Sequence, residues 1–301
     1  MTKWKIILLC TVAACSFRVL AQETNTPHPV IAWGAQVSAP FAPYVTGLRG
    51  TCYASPAECI GRFKPTDRVS YLAISIADAA QPDLTLQHAS EYADVARIHP
   101  RLKEIGIDDF WSFIRRVKVD NREKYLDQLI DNAKSNNSGL KFGVTIYEDQ
   151  INDIDTAGKT WFTKDIRSKI DRVAFYLHHR EGVKSYDRSL ERLRALFPNA
   201  EIYGGVYHYD RIDYLDCQAG TRRKCSNTDE LSLYRRTLEI QLNLLQNKKI
   251  AGLEFYPGFI GNEARWKPWQ QKRICDENRK DQCIRNSEEM GRISLELLRM
   301  K

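Results

Sequence analysis

The stretch that decides the fold is Ile250-Ala251-Gly252-Leu253-Glu254-Phe255-Tyr256-Pro257-Gly258. In it a short apolar run ends in a carboxylate and an aromatic residue, and a Pro-Gly break follows at once. Such runs, bounded by turn residues, are typical of buried β-strands. Four earlier stretches share this plan: Ile105–Asp109, Val144–Asp149, Val173–His179 and Ile202–Asp210. We therefore predict five strands whose polar ends meet in space.

Two more strands are predicted near the start of the chain, over Ile31–Ser38 and Arg68–Ile76, which brings the total to seven. The segments between the strands show helical spacing or a weaker helical pattern: Leu86–Ile98, Leu126–Ala133, Trp161–Ile170, Leu190–Phe197, Leu231–Leu245 and Ser287–Met300. Strands that alternate with helices predict a parallel sheet covered by helices. The sequence therefore predicts an α/β fold, a single (β/α)8 TIM-like barrel.

Seven strands are one short of a complete barrel. Either the barrel is incomplete, or the eighth strand lies between Gly261 and Asn286, where the pattern is poor. The long Gly- and Pro-rich segment Ala39–Asp67 is predicted to be a loop. An open doubly wound sheet is the alternative, but no Gly-x-Gly-x-x-Gly fingerprint follows the first strand.

Residues 1–21 have the pattern of an export signal: Lys3 and Lys5, an apolar run that is too short to span a bilayer, and a small-residue cleavage site before Gln22. Within this segment Val12–Ser16 resembles a bacterial lipobox, in which Cys15 would carry the lipid. We expect an exported protein, periplasmic, outer-membrane or secreted, with a membrane contact only through that lipid. No linker divides residues 22–301, which predicts one domain.

Removal of the signal takes three basic and no acidic residues from a formal net charge of +7, which leaves +4. Because the lysines and arginines of the remaining chain are dispersed, the sequence gives little support to nucleic-acid binding. Six cysteines remain, in three close pairs: Cys52 with Cys59, Cys217 with Cys225, and Cys275 with Cys283. An exported chain favours disulfides, and the Cys-x2-Cys spacing of zinc sites is absent.

The active site of a barrel lies at the carboxyl ends of its strands. Because side chains alternate along a strand, we expect small residues and strand-end polar groups to face the axis. The inward set is then Gly106, Asp108, Gly143, Thr145, Tyr147, Asp149, Ala174, Tyr176, His178, Gly205, Tyr207, Tyr209, Gly252, Glu254 and Tyr256. Glu148 falls on the helix side unless its strand ends before it.

At this point the chain resembles the TIM-barrel glycoside hydrolases. Many retaining members carry a glutamate acid/base after strand four and a glutamate nucleophile after strand seven, the places of Glu148 and Glu254 in this count. Tyr147 stands where Asn commonly precedes the acid/base, and Asp108 offers a different acid. The resemblance implies a carbohydrate substrate, no cofactor and no metal.

Glycoside hydrolysis needs two carboxyl groups, one of them protonated. The predicted catalytic residues are Glu254 with either Glu148 or Asp108. Aromatic rings stack on sugars and polar groups bind hydroxyls, so the predicted substrate-binding residues are Trp33, Asp109, Tyr147, Asp149, Tyr176, His178, Tyr207, Tyr209 and Tyr256. The acidic pairs could instead cap helices.

Two other functions compete with this one. Asp108, Asp149, His178 and Glu254 are a mixed His and carboxylate set of the kind that binds divalent metals, which would make the protein a metal-dependent hydrolase. A noncatalytic glycan-binding lipoprotein would keep the cleft without the chemistry. Fold alone does not choose, since barrels host many reactions.

Overall fold

The chain forms a closed barrel of eight parallel strands in which each strand pairs with its sequence neighbours and the last pairs with the first. The computed structural model describes residues 28–35, 37–64, 66–135, 139–208, 230–258 and 280–300, with the side chains of the last helix described from residue 285. The predicted α/β barrel is confirmed.

The strands are β1 Val30–Trp33, β2 Gly47–Thr51, β3 Tyr71–Ser75, β4 Leu102–Ile107, β5 Lys141–Tyr147, β6 Arg172–Tyr176, β7 Glu201–Tyr207 and β8 Gly252–Tyr256. The α-helices are α1 Pro56–Arg62, α2 Pro82–Ala96, α3 Phe110–Arg116, α4 Arg122–Lys134, α5 Ile151–Ala157, α6 Lys164–Ser168, α7 Tyr186–Leu196, α8 Glu230–Gln246 and α9 Lys280–Arg299. Short 3-10 turns span Ala42–Tyr44, Glu148–Gln150 and Arg180–Ser185.

The eighth strand is β2, and it lies inside the segment Ala39–Asp67 that the sequence predicts as a loop. That prediction is wrong, as is the placement of an eighth strand after Gly261, because β8 pairs directly with β1. The stretch Gly47-Leu48-Arg49-Gly50-Thr51 has two glycines and one aliphatic residue. Thr51 is its one β-branched residue and it has no aromatic residue, so its composition favours a strand only weakly, and its pairing with β1 and β3 makes it one.

The extra strand changes the count on which the resemblance to glycoside hydrolases depends. Glu148 follows β5 instead of strand four, and Glu254 lies in the middle of β8 instead of after strand seven. The predicted correspondence of these two glutamates is therefore wrong by one strand. Asp108 and Asp109 are the acids that follow β4.

The predicted alternation is confirmed on the described strands. Leu253 and Phe255 belong to the large apolar core between barrel and helices, whereas Tyr147, Ala174 and Tyr176 form a separate cluster inside the barrel. Small residues are needed where strands approach the interior closely. A Cβ on Gly106 would lie 2.0 Å from the carbonyl oxygen of Gly143, so this side of the barrel depends on glycine.

Cys52 and Cys59 form a disulfide with Cα atoms 5.8 Å apart, which confirms one of the three predicted pairs. The other four cysteines lie outside the residues whose side chains the structure describes. None of the helices that the structure describes is long and apolar enough to cross a bilayer.

Candidate functional site

Four charged side chains fill the middle of the barrel: Arg49 on β2, Glu104 on β4, Arg172 on β6 and Glu254 on β8. Each is at most 1% exposed. Arg49 Nη1 donates to Glu104 Oε1 at 2.9 Å and to Glu254 Oε2 at 3.4 Å. Arg172 Nη1 donates to Glu104 Oε1 at 2.8 Å, and its Nη2 donates to Glu254 Oε2. Two positive and two negative charges thus form one buried network, the interior tetrad.

Glu254, the strongest catalytic candidate in the sequence, is enclosed by this tetrad. Besides the arginines, its Oε1 accepts hydrogen bonds from Trp33 Nε1 at 2.8 Å and from the Tyr176 hydroxyl at 3.1 Å. Burial opposes ionisation, but Arg172 and Arg49 outweigh it and lower the pKa of Glu254 to about 2. Glu254 is therefore an ionised carboxylate with four donors and no exposed surface, and its catalytic role stays a prediction.

Sequence reasoning missed Arg49, Glu104 and Arg172. Period-two alternation places Glu104 two residues before Gly106, and Arg172 two residues before Ala174, on the inward faces of their strands. Charged residues are almost never fully buried unless they are paired, so a charge at an inward position of a strand indicates a buried partner of opposite sign. The signal that would have found them is two charges of each sign at inward positions of four strands.

Above the tetrad lies a layer of aromatic residues that the sequence predicts at the strand ends. Tyr176 and Tyr207 have ring centroids 4.8 Å apart, and Tyr207 and Tyr256 have centroids 5.9 Å apart. The Trp33 ring meets that of Tyr256 edge-on at 5.7 Å, and the Tyr207 hydroxyl donates to that of Tyr147 at 2.9 Å. Five of the predicted aromatic residues are thus brought together, whereas Tyr209 lies outside the described residues.

Asp108 follows β4 at the carboxyl end of the barrel and is half-buried. Its backbone N–H donates to Ser75 Oγ at 2.6 Å, which ties the strand end to β3. Burial and the charge of Asp109 raise the pKa of Asp108 to about 7, with a further rise from Glu254 and an opposing effect of Arg49. A large fraction of Asp108 is therefore protonated at neutral pH, as a general acid requires.

Asp109 is held in a left-handed backbone conformation with a φ of 47°. This conformation is uncommon for residues other than glycine and costs about 1 kcal/mol. Asp109 precedes α3 at the N-cap position, yet its side chain makes no capping hydrogen bond. Instead its Oδ1 accepts a hydrogen bond from the Tyr147 hydroxyl at 2.7 Å. The helix-capping interpretation therefore does not describe this carboxylate.

A cleft of about 630 Å³ opens beside these two acids. It reaches from Ser75, at the end of β3, to the residues that precede and follow α3. Its wall contains acidic, basic and aromatic side chains: Tyr53, Asp78, Asp108, Asp109, Phe113 and Arg116. A cleft at the carboxyl ends of barrel strands that contains an acid of raised pKa is the expected form of an active site.

The carboxylate of Glu148 is bound by two backbone N–H groups. Its Oε2 accepts the backbone N–H of His178 at 2.6 Å, and its Oε1 accepts that of His179 at 3.0 Å. Burial raises the pKa of Glu148, although these two hydrogen bonds oppose the rise. Both oxygens thus fix the loop after β6 to the end of β5.

Asp149 and His178 form a pair on the same rim. His178 Nδ1 lies 2.9 Å from both carboxylate oxygens of Asp149, and its ring stacks on Tyr147 with centroids 3.6 Å apart. Burial opposes ionisation of Asp149, but the bond to His178 outweighs it and lowers the pKa of Asp149. The predicted binding residues after β5 and β6 therefore lie against one another, through Tyr147.

The same contacts bear on the metal-dependent alternative. Among the residues that the structure describes, no group of three or more His, Cys, Asp or Glu side chains is placed to hold a metal ion. Asp149 and His178 bind each other, whereas Glu254 binds two arginines. The described residues therefore supply no ligand set for that alternative.

The fold and the rim define the chain as an α/β barrel protein with acidic and aromatic side chains at the carboxyl ends of its strands. No protein-family model matches the sequence, and no curated protein matches it.

Solved structures that resemble the chain include glycoside hydrolases. A GH18 chitinase from Pseudoalteromonas aurantia is 13% identical over 76% of this chain and 94% of its own, with a TM-score of 0.46. Active domain 2 of a thermostable chitinase from Pyrococcus furiosus, solved with chito-oligosaccharides, is 11% identical over 90% and 96%, with a TM-score of 0.47. A GH113 β-1,4-mannanase is 9% identical over 88% and 98%, with a TM-score of 0.42. The closed barrel of eight parallel strands by itself establishes the fold.

Proposed function

We propose that the protein is a glycoside hydrolase in which Asp108 is the general acid and Asp109 is the second carboxylate. Asp108 would protonate the glycosidic oxygen as the bond from that oxygen to the anomeric carbon breaks. Asp109 would act in its ionised form, either as the base that takes a proton from water or as the nucleophile. Water supplies the hydroxyl group that ends on the anomeric carbon.

The observation that carries this proposal is the unequal environment of two adjacent acids. The pKa of Asp108 is raised to about 7, and the charge of Asp109 contributes to that rise. Asp109 is exposed and directed to Tyr147 by a strained backbone. A carboxyl group of raised pKa next to a second, exposed carboxyl group is the arrangement that an acid/base pair needs.

Glu254, which the sequence predicts as a catalytic residue, then has a different role. With four donors and no exposed surface, its carboxylate has no path to a substrate in this conformation. Its negative charge contributes to the raised pKa of Asp108. We therefore assign Glu254 to the electrostatic support of Asp108 and to the stability of the barrel.

The experiment is hydrolysis of a panel of chito-, manno-, cello- and uronic-acid oligosaccharides by purified residues 22–301, with products identified by mass spectrometry. We expect the wild type to cleave at least one, and Asp108→Asn to lower kcat/KM at least about 100-fold. Asp78→Asn is the matched control, because Asp78 lines the same cleft but its carboxylate binds Ala80 N–H and Gln81 in its own loop. Equal losses in both variants would remove Asp108 from the chemistry.

A noncatalytic glycan-binding protein is the second candidate, and one observation favours it. Of the two glutamates that the sequence selects, Glu254 is sealed in the tetrad and Glu148 binds two backbone amides. Calorimetry with the same panel separates the candidates. An oligosaccharide that binds the wild type but is never cleaved would favour a binding protein.

We also propose export through residues 1–21, with lipid attachment at Cys15 or cleavage after Ala21 as the two routes. The Cys52–Cys59 disulfide supports this proposal, because such bonds persist in oxidising compartments. The mass of the mature N-terminus tests it, and Cys15→Ser is the matched variant. An unprocessed Met1 in fractionated cells would refute export.

A further inference from the structure

Tyr53 is an exposed aromatic side chain at the edge of the cleft. It is 55% exposed, and within the described residues the other large exposed apolar side chains are Ile98 and Met300. Over that same part of the chain, the Tyr53 ring packs against no other ring and its hydroxyl makes no hydrogen bond. Single exposed apolar residues are common on protein surfaces. Exposure alone therefore does not indicate a binding role for Tyr53, and its position on the surface does.

That position is the wall of the cleft that contains Asp108 and Asp109. Burial raises the pKa of the Tyr53 hydroxyl, and the charges of Asp108 and Asp78 raise it further, against the effect of Arg116. The hydroxyl is therefore close enough to the charged groups of the cleft to be affected by them, and more than half of the residue's surface is open to solvent. An amphipathic ring in a cleft is the usual anchor of a bound ligand.

The backbone that presents Tyr53 is tied at both ends. On one side, the Cys52 N–H donates to the Ser75 carbonyl at 3.0 Å, directly after β2. On the other, Cys59 in α1 is fully buried and bonded to Cys52. The disulfide thus closes a loop with a sequence separation of 7 around Tyr53. Anchoring a contact residue in its bound position lowers the entropy lost on binding.

We propose that Tyr53 is a sugar-stacking platform next to the reacting acids, held in place by the Cys52–Cys59 disulfide. The apolar face of a pyranose ring packs on the tyrosine ring, and a neighbouring hydroxyl group of the sugar bonds to Arg116, which lines the same cleft. The proposal rests on the proposed glycoside hydrolase function. It adds a substrate-positioning residue that the strand-end pattern did not reveal, because Tyr53 lies in a predicted loop.

The test compares KM and kcat for the best oligosaccharide of the panel in three single variants. Tyr53→Ala removes the ring and is expected to raise KM about tenfold, with kcat within about twofold of wild type. Tyr53→Phe keeps the ring and should restore most of the affinity. Ile98→Ala removes an exposed apolar side chain that lines no part of this cleft and should leave both constants unchanged.

The second arm removes the anchor and keeps the platform. In the double variant Cys52→Ser/Cys59→Ser we expect KM to rise about threefold, less than in Tyr53→Ala, because the ring remains but is less ordered. Calorimetry in the Asp108→Asn background measures the same loss of affinity without turnover. Circular dichroism checks that each variant is folded.

The outcomes separate this inference from the function on which it rests. If the wild type cleaves an oligosaccharide and Tyr53→Ala leaves KM unchanged, the platform is refuted and the hydrolase stands. If the wild type neither binds nor cleaves any member of the panel, the hydrolase and the platform are both refuted. An equal rise of KM in Ile98→Ala would show that the effect is not specific to the cleft.

Discussion

The substitution Glu254→Gln separates a structural from a catalytic role for the residue that the sequence favours most. The change keeps the size of the side chain but removes one of the two negative charges of the interior tetrad. Arg49 and Arg172 then share Glu104 alone. Breaking a buried ion pair by removing one partner costs about 3–5 kcal/mol, because the remaining charge stays desolvated.

The lowered pKa of Glu254 leads to a similar value for the loss of stability. A pKa lowered from the ordinary value of 4.5 to about 2 corresponds to about 3 kcal/mol of stability at pH 7. Because the folded-state pKa is depressed, this stability is complete above pH 4.5 and is lost as the pH falls through 2. The difference between wild type and Glu254→Gln should therefore shrink to about 1 kcal/mol at pH 3.

Urea unfolding at pH 7 and pH 3 measures this difference, with Glu104→Gln as the matched control. Glu104 is equally buried and accepts from both arginines and from the Tyr71 hydroxyl at 2.6 Å. We expect both variants to lose stability and the folded fraction of both to retain cleavage. Full stability with a loss of cleavage in Glu254→Gln alone would show that Glu254 reacts with the substrate, and our assignment would be wrong.

Three further predictions concern β4 and its carboxyl end. The pKa of Asp108 near 7 predicts that kcat/KM falls as the pH rises above about 7; a flat profile to pH 9 would exclude it as the acid. Because the folded state raises this pKa, ionisation of Asp108 destabilises the folded state as the pH rises from about 4 to 7. Asp108→Asn should therefore be more stable than wild type by about 2 kcal/mol at pH 8. At pH 3 the two proteins should have equal stability. Gly106→Ala should lose about 3 kcal/mol or fail to fold, because its Cβ would meet the Gly143 carbonyl. Gly61→Ala, where a Cβ meets nothing within 4 Å, should be neutral or stabilising in the same urea assay.

The comparison of Glu254 with Asp108 shows why a carboxylate at the end of an apolar run is an incomplete signal. Alternation predicts that both residues face the axis; Glu254 lies inside the barrel, and Asp108 lines the cleft at the strand ends. They differ because β8 continues two residues beyond Glu254, whereas β4 ends just before Asp108. One residue is thus covered by the aromatic layer, and the other lines the cleft. Strand ends are the least certain part of a sequence-based assignment, and here they decide the chemistry.

The sequence by itself determined the α/β barrel, seven of its strands, the inward faces and one local disulfide. These properties depend on periodicity and on short-range spacing, which are visible within a few residues. The aromatic layer was also predictable, because Tyr147, Tyr176, Tyr207 and Tyr256 all continue an inward face. The same alternation extends down to Glu104 and Arg172, but burial of a lone charge is too costly to predict without its partner.

Only the tertiary structure decided which acids are sealed and which are exposed. The partners of the tetrad come from four strands spread across the chain, so no local pattern pairs them. Strand β2 forms because β1 and β3 supply its hydrogen bonds. Tyr53 becomes a candidate binding residue because it lines the same cleft as Asp108. These features are the pairing of charges, the closure of the barrel and the shape of the cleft. They depend on contacts between residues that are far apart in the sequence, so no local pattern predicts them.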